Sequence, residues 1–181
     1  MAKKVLVIVD YQNDFVDGAL GFPGADAICA GICRKAEEAQ EQGAMVFITL
    51  DTHEEGYLTT REGKALPVEH CRKGTVGHAL YGDLEMLAER IEAVLVEKPA
   101  FGSLALVERM SQLCPDAEEI ELCGVVTNMC VIANAVLVQS AFPNAEVTID
   151  ASLCLSFDPA LHEKALDVME GMQMHVVNRT K

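Results

Sequence analysis

Three side chains in the sequence have the chemistry that nucleophilic acyl transfer requires. Asp10 directly follows the apolar run "VLVIV", Lys98 ends "AVLVEK", and Cys130 stands in "GVVTNMCVIANAVL". A thiol can attack a carbonyl carbon, a carboxylate within reach can take the thiol proton, and a nearby cation favours the thiolate. Each residue alone also has an ordinary role, as a core thiol, a loop-capping carboxylate or a surface lysine. The combination favours catalysis with Cys130 as the nucleophile.

The position of Cys130 distinguishes it from the other cysteines. Thr127 or Asn128 is a suitable N-cap, which would place Cys130 in the first turn of a helix, where the backbone N–H groups and the helix dipole favour an anion. The chain has seven cysteines and no C-x-x-C pair, which indicates reduced thiols. Five of the others lie in apolar or amphipathic segments and are predicted to be core residues, namely Cys29, Cys33, Cys114, Cys123 and Cys154.

A second group of polar residues has the chemistry of metal ligands. Asp51 and His53 are two residues apart at a strand end, so their side chains can share a face. Glu62 and His70 lie in the loop that follows. Carboxylate and imidazole ligands suit zinc, iron or manganese, with open positions for water or substrate. The alternative is a set of polar residues on an acidic loop, since this spacing matches no self-sufficient metal motif.

The elements that must position these residues alternate along the chain. Helical patterns cover about 26–42, 83–91, 103–113, 128–141 and 159–172. Between and beside them, six apolar, β-branched-rich runs predict strands: "KKVLVIV", "AMVFITL", "AVLVEK", "EIELCGVV", "AEVTI" and "MHVVN". This alternation predicts a three-layer α/β/α fold with a six-stranded, mainly parallel sheet. No repeat or linker divides the chain, so we expect a single domain over residues 1–181.

Ligands of open parallel sheets bind beyond the carboxyl ends of the strands, where Asp10, Asp51, Lys98 and the turn into Cys130 are predicted to meet. The polar segment 51–82 is too long for an ordinary connection, which indicates an ordered functional loop. Two aromatic residues follow these strand ends and could wall a small apolar pocket, with core packing as the alternative. They are Phe15 and Phe101.

Composition limits the partners of the protein. The formal net charge of −14 opposes binding to nucleic acids and anionic membranes, and favours a small substrate or a protein partner. The first apolar run ends at Asp10 without a signal-peptide cleavage site, and no later run reaches the roughly 20 residues needed to cross a bilayer. We therefore expect a cytoplasmic protein. Exposed apolar helix faces make a homo-oligomer the expected assembly.

Three segments resemble the motifs of one family, the cysteine hydrolases of the isochorismatase-like superfamily, and within it the nicotinamidases. They are "VIVDYQNDF", "EKPAFGS" and "GVVTNMCVIANA", in the family order and over nearly the whole chain. The resemblance implies a Rossmann-like strand order, with Cys130 as nucleophile, Asp10 as general base and Lys98 as the stabilising cation. It also implies a cis peptide at Val125-Val126 and an oxyanion hole formed by the N–H groups of Val126 and Cys130.

The segment "DTHEEGYLTTREGKALPVEHC" is similar to the metal-binding segment of the nicotinamidase branch. This similarity implies that Asp51, His53 and His70 bind a divalent metal ion, with zinc expected first and iron or manganese as alternatives. Glu62 matches a further ligand that some members use. Leu66 stands where many nicotinamidases have a pocket tryptophan, with a one-residue shift, and we expect it to contact substrate together with Phe15 and Phe101.

The function implied is hydrolysis of a linear amide C–N bond through a thioester, with nicotinamide converted to nicotinate and ammonia. One alternative is a related amidase that acts on another small or carbamoyl amide without a metal. The other is a non-catalytic or redox-sensing thiol protein with the same fold.

Overall fold

A computed structural model describes residues 3–179, which build one six-stranded sheet. The strands are β1 Lys4–Val9, β2 Met45–Asp51, β3 Val94–Lys98, β4 Glu119–Val125, β5 Glu146–Leu155 and β6 His175–Val177. The order is β3-β2-β1-β4-β5-β6 and every pairing is parallel. The predicted α/β class, the six strands and the Rossmann-like order are confirmed.

The central position of β1 follows from its sequence. "VLVIV" is apolar on both faces, as a strand covered by helices on both sides must be, and all five of these residues are buried. Its last residue, Val9, is in register with Thr49 of β2 and Gly124 of β4. Asp51 of β2 is in turn in register with Lys98 of β3. The strand ends therefore bring the predicted functional residues to one edge of the sheet.

The helices lie where the sequence predicts them, with two short additions. They are α1 Asn13–Val16, α2 Cys29–Glu41, α3 Arg61–Ala65, α4 Leu84–Arg90, α5 Leu104–Leu113, α6 Ile132–Ala141 and α7 Pro159–Gly171. Two helices begin with a side-chain cap: the Ser103 hydroxyl accepts a hydrogen bond from the Leu106 N–H at 3.0 Å, and Asp158 caps the helix that Pro159 opens. No helix within residues 3–179 combines the length and apolar character that spanning a bilayer would require.

Helices cover both faces of the sheet. α2 packs on α4 and against β1 and β2. α5 packs on α6 and against β3, and α6 also packs against β5. The connections through α2 and α4 run from β1 toward β3, whereas those through α5 and α6 run across the sheet in the opposite direction. Right-handed crossovers in opposite directions place the two helix pairs on opposite faces. The structure thus has the expected three layers, with buried apolar side chains of β1 to β5 in the core between them.

One difference from the sequence prediction concerns the length of a strand. The predicted strand "AEVTI" extends through Leu155, because the register between β4 and β5 shifts between Leu122 and Gly124 and pairing then resumes at Cys154. Gly124 is required there: its φ is +119°, and a Cβ would lie 2.2 Å from the Val9 carbonyl oxygen. The long segment after β2 is ordered, as predicted, and contains α3 and two further short helical turns, Tyr57–Thr59 and Val76–His78.

Candidate active site

Asp10 lies immediately beyond β1, completely buried, with a left-handed backbone at φ 48°. The Thr49 hydroxyl donates to its Oδ1 at 2.6 Å and holds that oxygen in place. Its Oδ2 accepts no aligned hydrogen bond from any described residue, although the ammonium of Lys98 lies 2.6 Å away. A buried carboxylate oxygen with unused acceptor capacity is available to receive a proton.

Lys98 connects the groups at this edge of the sheet. Its Nζ lies 2.6 Å from Asp10 Oδ2 and 3.2 Å from Asp51 Oδ1, and donates to the Ala100 carbonyl at 2.9 Å. The same ammonium is 3.6 Å from the Sγ of Cys130. The side chain is buried, so its charge acts on these partners with little screening by water. The structure thus brings together the three side chains that the sequence predicts to be catalytic.

Cys130 is buried near the start of a helical segment, as expected. The segment begins with one π-helical turn, Thr127–Val131, and continues as α6. The carbonyl of Val126 accepts hydrogen bonds from the N–H groups on either side of Cys130, those of Met129 and Val131. The peptide bond at Val125-Val126 is cis, as the resemblance implies. Such π-turns occur frequently at functional sites.

The predicted N-cap is wrong. Thr127 and Asn128 lie inside the helical segment, and the cap position is taken by Val126. Their side chains bind elsewhere: the Thr127 hydroxyl lies 2.8 Å from Nδ1 of His162, and the Asn128 amide oxygen accepts from the Ser156 hydroxyl at 2.6 Å. Hydrogen bonds in a π-turn span one residue more than those in an α-helix. The helical segment therefore begins at Thr127, earlier than an α-helical pattern capped by Thr127 or Asn128 predicts.

The electrostatics of the resting site differ from the expectation of a preformed thiolate. Burial raises the pKa of Cys130 well above its ordinary value, the charge of Asp10 raises it further, and Lys98 only partly opposes both. Burial also raises the pKa of Asp10, again against the lowering effect of Lys98. One cation does not offset the hydration that a buried sulfur anion would lose. The resting cysteine is therefore a thiol beside a proton acceptor.

Asp51, His53 and His70 form a compact cluster next to this site. Asp51 Oδ2 is 3.0 Å from His53 Nε2 and 3.3 Å from His70 Nε2, and the three donor atoms lie within 4.8 Å of one another. The Nδ1 of His70 is 2.8 Å from the Val68 carbonyl, which can only accept, so Nδ1 carries the hydrogen and Nε2 is free to bind a metal. Two imidazoles and a carboxylate, all buried, fit a zinc-type divalent ion with open positions.

Glu62 lies close to this cluster but outside it. Its Oε1 is 3.9 Å from His53 Nε2, but Glu62 is not part of the group in which every donor atom lies within 4.8 Å of the others. Burial would raise the pKa of Asp51, but hydrogen bonds from His53 and His70 and the charge of Lys98 hold it below its usual range. Asp51 is thus anionic, and its two oxygens face different centres.

Two polar residues next to Asp10 were not predicted from the sequence. Gln12 is buried, accepts from the Asp51 N–H at 2.8 Å, and donates to the carbonyls of Asp51 at 3.0 Å and His78 at 2.8 Å. Asp14 accepts from the Cys71 N–H at 2.7 Å and so fixes the chain next to His70. The signal was the polar run "QND" directly after the strand, which is richer in side-chain acceptors than a turn requires.

Asn134 was also not identified from the sequence. Its amide donates to the carbonyls of Cys130 at 2.8 Å and Phe101 at 3.0 Å, and its oxygen accepts from the Ser103 N–H at 2.9 Å. It thereby joins the nucleophile turn to the segment that follows Lys98. A single asparagine on an otherwise apolar helix face was the available signal, because a buried amide requires partners.

A cavity of about 580 Å³ opens over the sulfur atom. The residues expected to contact substrate, Phe15, Leu66 and Phe101, all line it, together with Cys130, Val126, Asp51 and His70. The candidate ligand Glu62 lines it as well, and further lining residues that the sequence did not indicate are Ala19, Leu20, Gly21, Phe22, Arg61, Ala65, Met129 and Phe157. The nucleophile candidate Cys130 and two residues of the metal cluster, Asp51 and His70, thus border one mostly apolar chamber.

Comparisons with known proteins agree with this geometry. The isochorismatase domain model matches residues 4–181. An isochorismatase family protein of Bacillus subtilis (strain 168), PncA, is 35% identical over 143 residues, which is 74% of this chain and 77% of that protein.

Two solved structures are similar over almost their whole length. The crystal structure of nicotinamidase PncA from Bacillus subtilis has a TM-score of 0.85 and 28% identity, covering 96% of this chain and 98% of that one. The structure of the pyrazinamidase of Pyrococcus horikoshii in complex with zinc has a TM-score of 0.83 and 26% identity, covering 98% and 99%.

Proposed function

This chain belongs to the isochorismatase family, and we propose that it is an amidohydrolase that converts nicotinamide to nicotinate and ammonia through a thioester on Cys130. The observation that carries the proposal is the convergence of Asp10, Lys98 and Cys130 beside an apolar chamber, which is lined by Cys130 itself and by Asp51 and His70 of the metal-binding cluster. The similar proteins are a nicotinamidase and a pyrazinamidase, which supports the substrate class.

In the acylation step, Asp10 takes the thiol proton as the sulfur of Cys130 attacks the carboxamide carbon. The N–H groups of Val126 and Cys130 stabilise the oxyanion of the tetrahedral intermediate. Asp10 then returns the proton to the amide nitrogen, the C–N bond breaks, and ammonia leaves the thioester. In the second step Asp10 removes a proton from water, the hydroxide attacks the thioester, and the sulfur leaves and regains its proton as the acid is released.

Lys98 balances charge during these steps. The sulfur carries negative charge only during the reaction, because its resting pKa is raised. An ammonium 3.6 Å from Sγ stabilises the negative sulfur of the transition state more than it stabilises the neutral resting thiol. This difference lowers the barrier. Its contact with Asp10 also keeps the carboxylate oriented toward the sulfur.

Asp51, His53 and His70 are the residues that would hold a divalent metal, with zinc as first choice and iron or manganese as alternatives; Glu62 would be a neighbour. A metal bound there supplies a Lewis-acid contact for a ring nitrogen of the substrate. The side chains of Phe15, Leu66 and Phe101 would then contact the ring, which orients the carboxamide over the sulfur.

The alternatives are less well supported. A redox-sensing thiol requires thiolate character and access, whereas Cys130 is 4% exposed and its pKa is raised. A metal-independent amidase would leave the compact Asp51, His53 and His70 cluster without a role. The absence of nucleic-acid and membrane binding, a cytoplasmic location and a homo-oligomer remain predictions.

The test is ammonia release from nicotinamide by zinc-loaded protein, compared with Cys130→Ala and with Cys29→Ser, a cysteine outside the site. We expect turnover by the wild type and by Cys29→Ser, and a loss of at least about 1000-fold in Cys130→Ala. Turnover that survives chelation and metal removal would favour the metal-independent amidase. Turnover that survives Cys130→Ala would exclude the thioester.

A further inference from the structure

The cavity above Cys130 extends well beyond the sulfur and the metal cluster. Its inner wall is buried, with Phe15 at 7% and His70 at 2% exposure. Its outer part is more open, and Phe157 at the mouth is 57% exposed. We call this outer part the apolar vestibule, and it is formed by Leu20, Phe22, Met129 and Phe157.

Two separate chain segments build the vestibule. Phe22 belongs to the loop after α1, and Phe157 lies between β5 and α7. Their rings meet edge to face, with centroids 6.3 Å apart and an interplanar angle of 78°. Contact between two aromatic rings from distant parts of the chain defines an apolar wall at the cavity mouth.

Hydrogen bonds hold both segments in place. The loop that carries Phe22 is tied to Asp14, whose carbonyl accepts from the Leu20 N–H at 2.8 Å and whose side chain accepts from the Ala19 N–H at 3.1 Å. Next to Phe157, the Ser156 hydroxyl accepts from the Asp158 N–H at 3.0 Å. The vestibule is therefore preformed, and a ligand group that occupies it need not order the chain first.

The size of the cavity exceeds what a single-ring amide needs. About 580 Å³ lies within the range of cavities that enclose drug-sized ligands. The chain has no tryptophan. Ala65 and Leu66, which line the cavity, have side chains much smaller than that of tryptophan. A single-ring amide held against Cys130 and the metal cluster would leave the vestibule to water, which an apolar wall binds poorly.

We propose that the substrates of this enzyme include aromatic carboxamides that carry an uncharged apolar ring substituent, and that this substituent binds in the vestibule. The inference rests on the proposed amidohydrolase function and specifies its substrate class. Neutral substituents fit because the charged side chains of the chamber favour neither sign: Asp51 and Glu62 are offset by Arg61 and by a divalent ion bound at the cluster. Burying a charge of either sign against the apolar vestibule costs hydration.

The test compares nicotinamide with its 5-phenyl and 6-phenyl derivatives, and with the corresponding carboxylate- and aminomethyl-bearing amides. For at least one phenyl isomer we expect a kcat/KM about tenfold above that of nicotinamide. In the double variant Phe22→Ser with Phe157→Ser, the ratio of the two kcat/KM values should fall about tenfold or more. Val168→Ser, an exposed apolar residue on α7 away from the cavity, is the matched control and should leave the ratio unchanged.

Hydrolysis of nicotinamide combined with kcat/KM values at least tenfold lower for both phenyl isomers would overturn the inference. A preference for a charged substituent, or an unchanged ratio in the double variant, would overturn it as well.

A binding measurement separates this inference from the proposed function. Calorimetry with zinc-loaded Cys130→Ala should show about tenfold tighter binding and a more negative heat-capacity change for the preferred phenyl derivative than for nicotinamide. Equal or weaker binding of the phenyl derivatives would overturn the inference. Absence of ammonia from every amide would instead overturn the proposed function, and calorimetry would still decide what the vestibule binds.

Discussion

The carboxylate of Asp51 faces Lys98 with one oxygen and the histidine cluster with the other. Its Oδ1 is 3.2 Å from Lys98 Nζ, and its Oδ2 is 3.0 Å from Nε2 of His53. Register between β2 and β3 places Asp51 directly beside Lys98, so this contact is a property of the sheet. The catalytic candidates and the metal cluster therefore share one carboxylate, and a change in one centre should alter the other.

Replacement of Lys98 tests whether the catalytic residues and the metal cluster are coupled through the carboxylate of Asp51. Lys98→Gln should lower kcat/KM about 1000-fold, because the charges on Asp10 and the sulfur lose their only close cation among the described residues. Zinc affinity should fall about 10- to 100-fold, because Asp51 loses a partner that orients it. Metal titration and steady-state kinetics measure both, with the exposed Lys73→Gln as control. Full recovery of activity at saturating zinc would mean that Lys98 acts only through Asp51.

Asp10 should determine the acid limb of the pH–rate profile. Its carboxyl must be ionised to take the thiol proton, so activity falls as pH decreases through its pKa. Burial raises that pKa, against Lys98, so the limb should lie above the ordinary aspartate value of about 3.9. At pH values above this limb, Asp10→Asn should lower kcat about 100- to 10,000-fold with KM nearly unchanged. An acid limb that remains in residual Asp10→Asn activity would assign it to another group.

Replacement of one histidine tests where the metal binds. His70→Ala takes away a donor 3.3 Å from Asp51 Oδ2 and should abolish stoichiometric zinc binding, as measured by metal analysis after dialysis. The exposed His175→Ala is the control and should keep the wild-type zinc content. Zinc retained at full stoichiometry in His70→Ala would place the metal elsewhere.

The salt bridge between Lys35 of α2 and Asp150 of β5 should make a pH-dependent contribution to stability. Burial would raise the pKa of Asp150, but hydrogen bonds from Lys35 at 2.8 Å, Ser152 at 2.7 Å and Asn178 at 3.1 Å bring it below its usual range. Because the folded-state pKa is lowered, this stabilisation is complete above the unfolded value of about 3.9 and is lost as pH falls through the folded value.

Asp150→Asn should therefore lower the free energy of unfolding by about 1–3 kcal/mol at pH 7. The difference from wild type should shrink as the pH falls below about 4, because the carboxyl of the unfolded chain then binds a proton that the folded protein binds only at lower pH. Urea unfolding at several pH values measures this, with the exposed Asp116→Asn as control. A difference that stays constant down to pH 2 would show that the ion pair adds no stability.

The sequence predicts the sheet and the meeting of Asp10, Lys98 and Cys130 because each depends on local pattern and strand register. An apolar run ends where a polar residue begins, and parallel strands align those ends at one edge. The compact ligand set of Asp51, His53 and His70 follows from the resemblance together with the length of the loop.

Other features depend on contacts that no local pattern records. The protonated state of Cys130 arises from its depth, which is set by the packing of neighbouring elements. The hydrogen bonds of Asn134 join it to Ser103 and Phe101, which lie more than thirty residues away in sequence. The contact between Phe22 and Phe157 joins distant parts of the chain, and neither residue lies in a recognisable motif.

The covalent intermediate is the central claim, and rapid acid quenching during turnover of nicotinamide, followed by peptide mass analysis, tests it most directly. We predict that the peptide containing Cys130 gains the mass of the nicotinoyl group minus one hydrogen, and that Cys130→Ala shows neither adduct nor turnover. An acyl adduct on a different residue, or undiminished turnover by Cys130→Ala, would contradict the account.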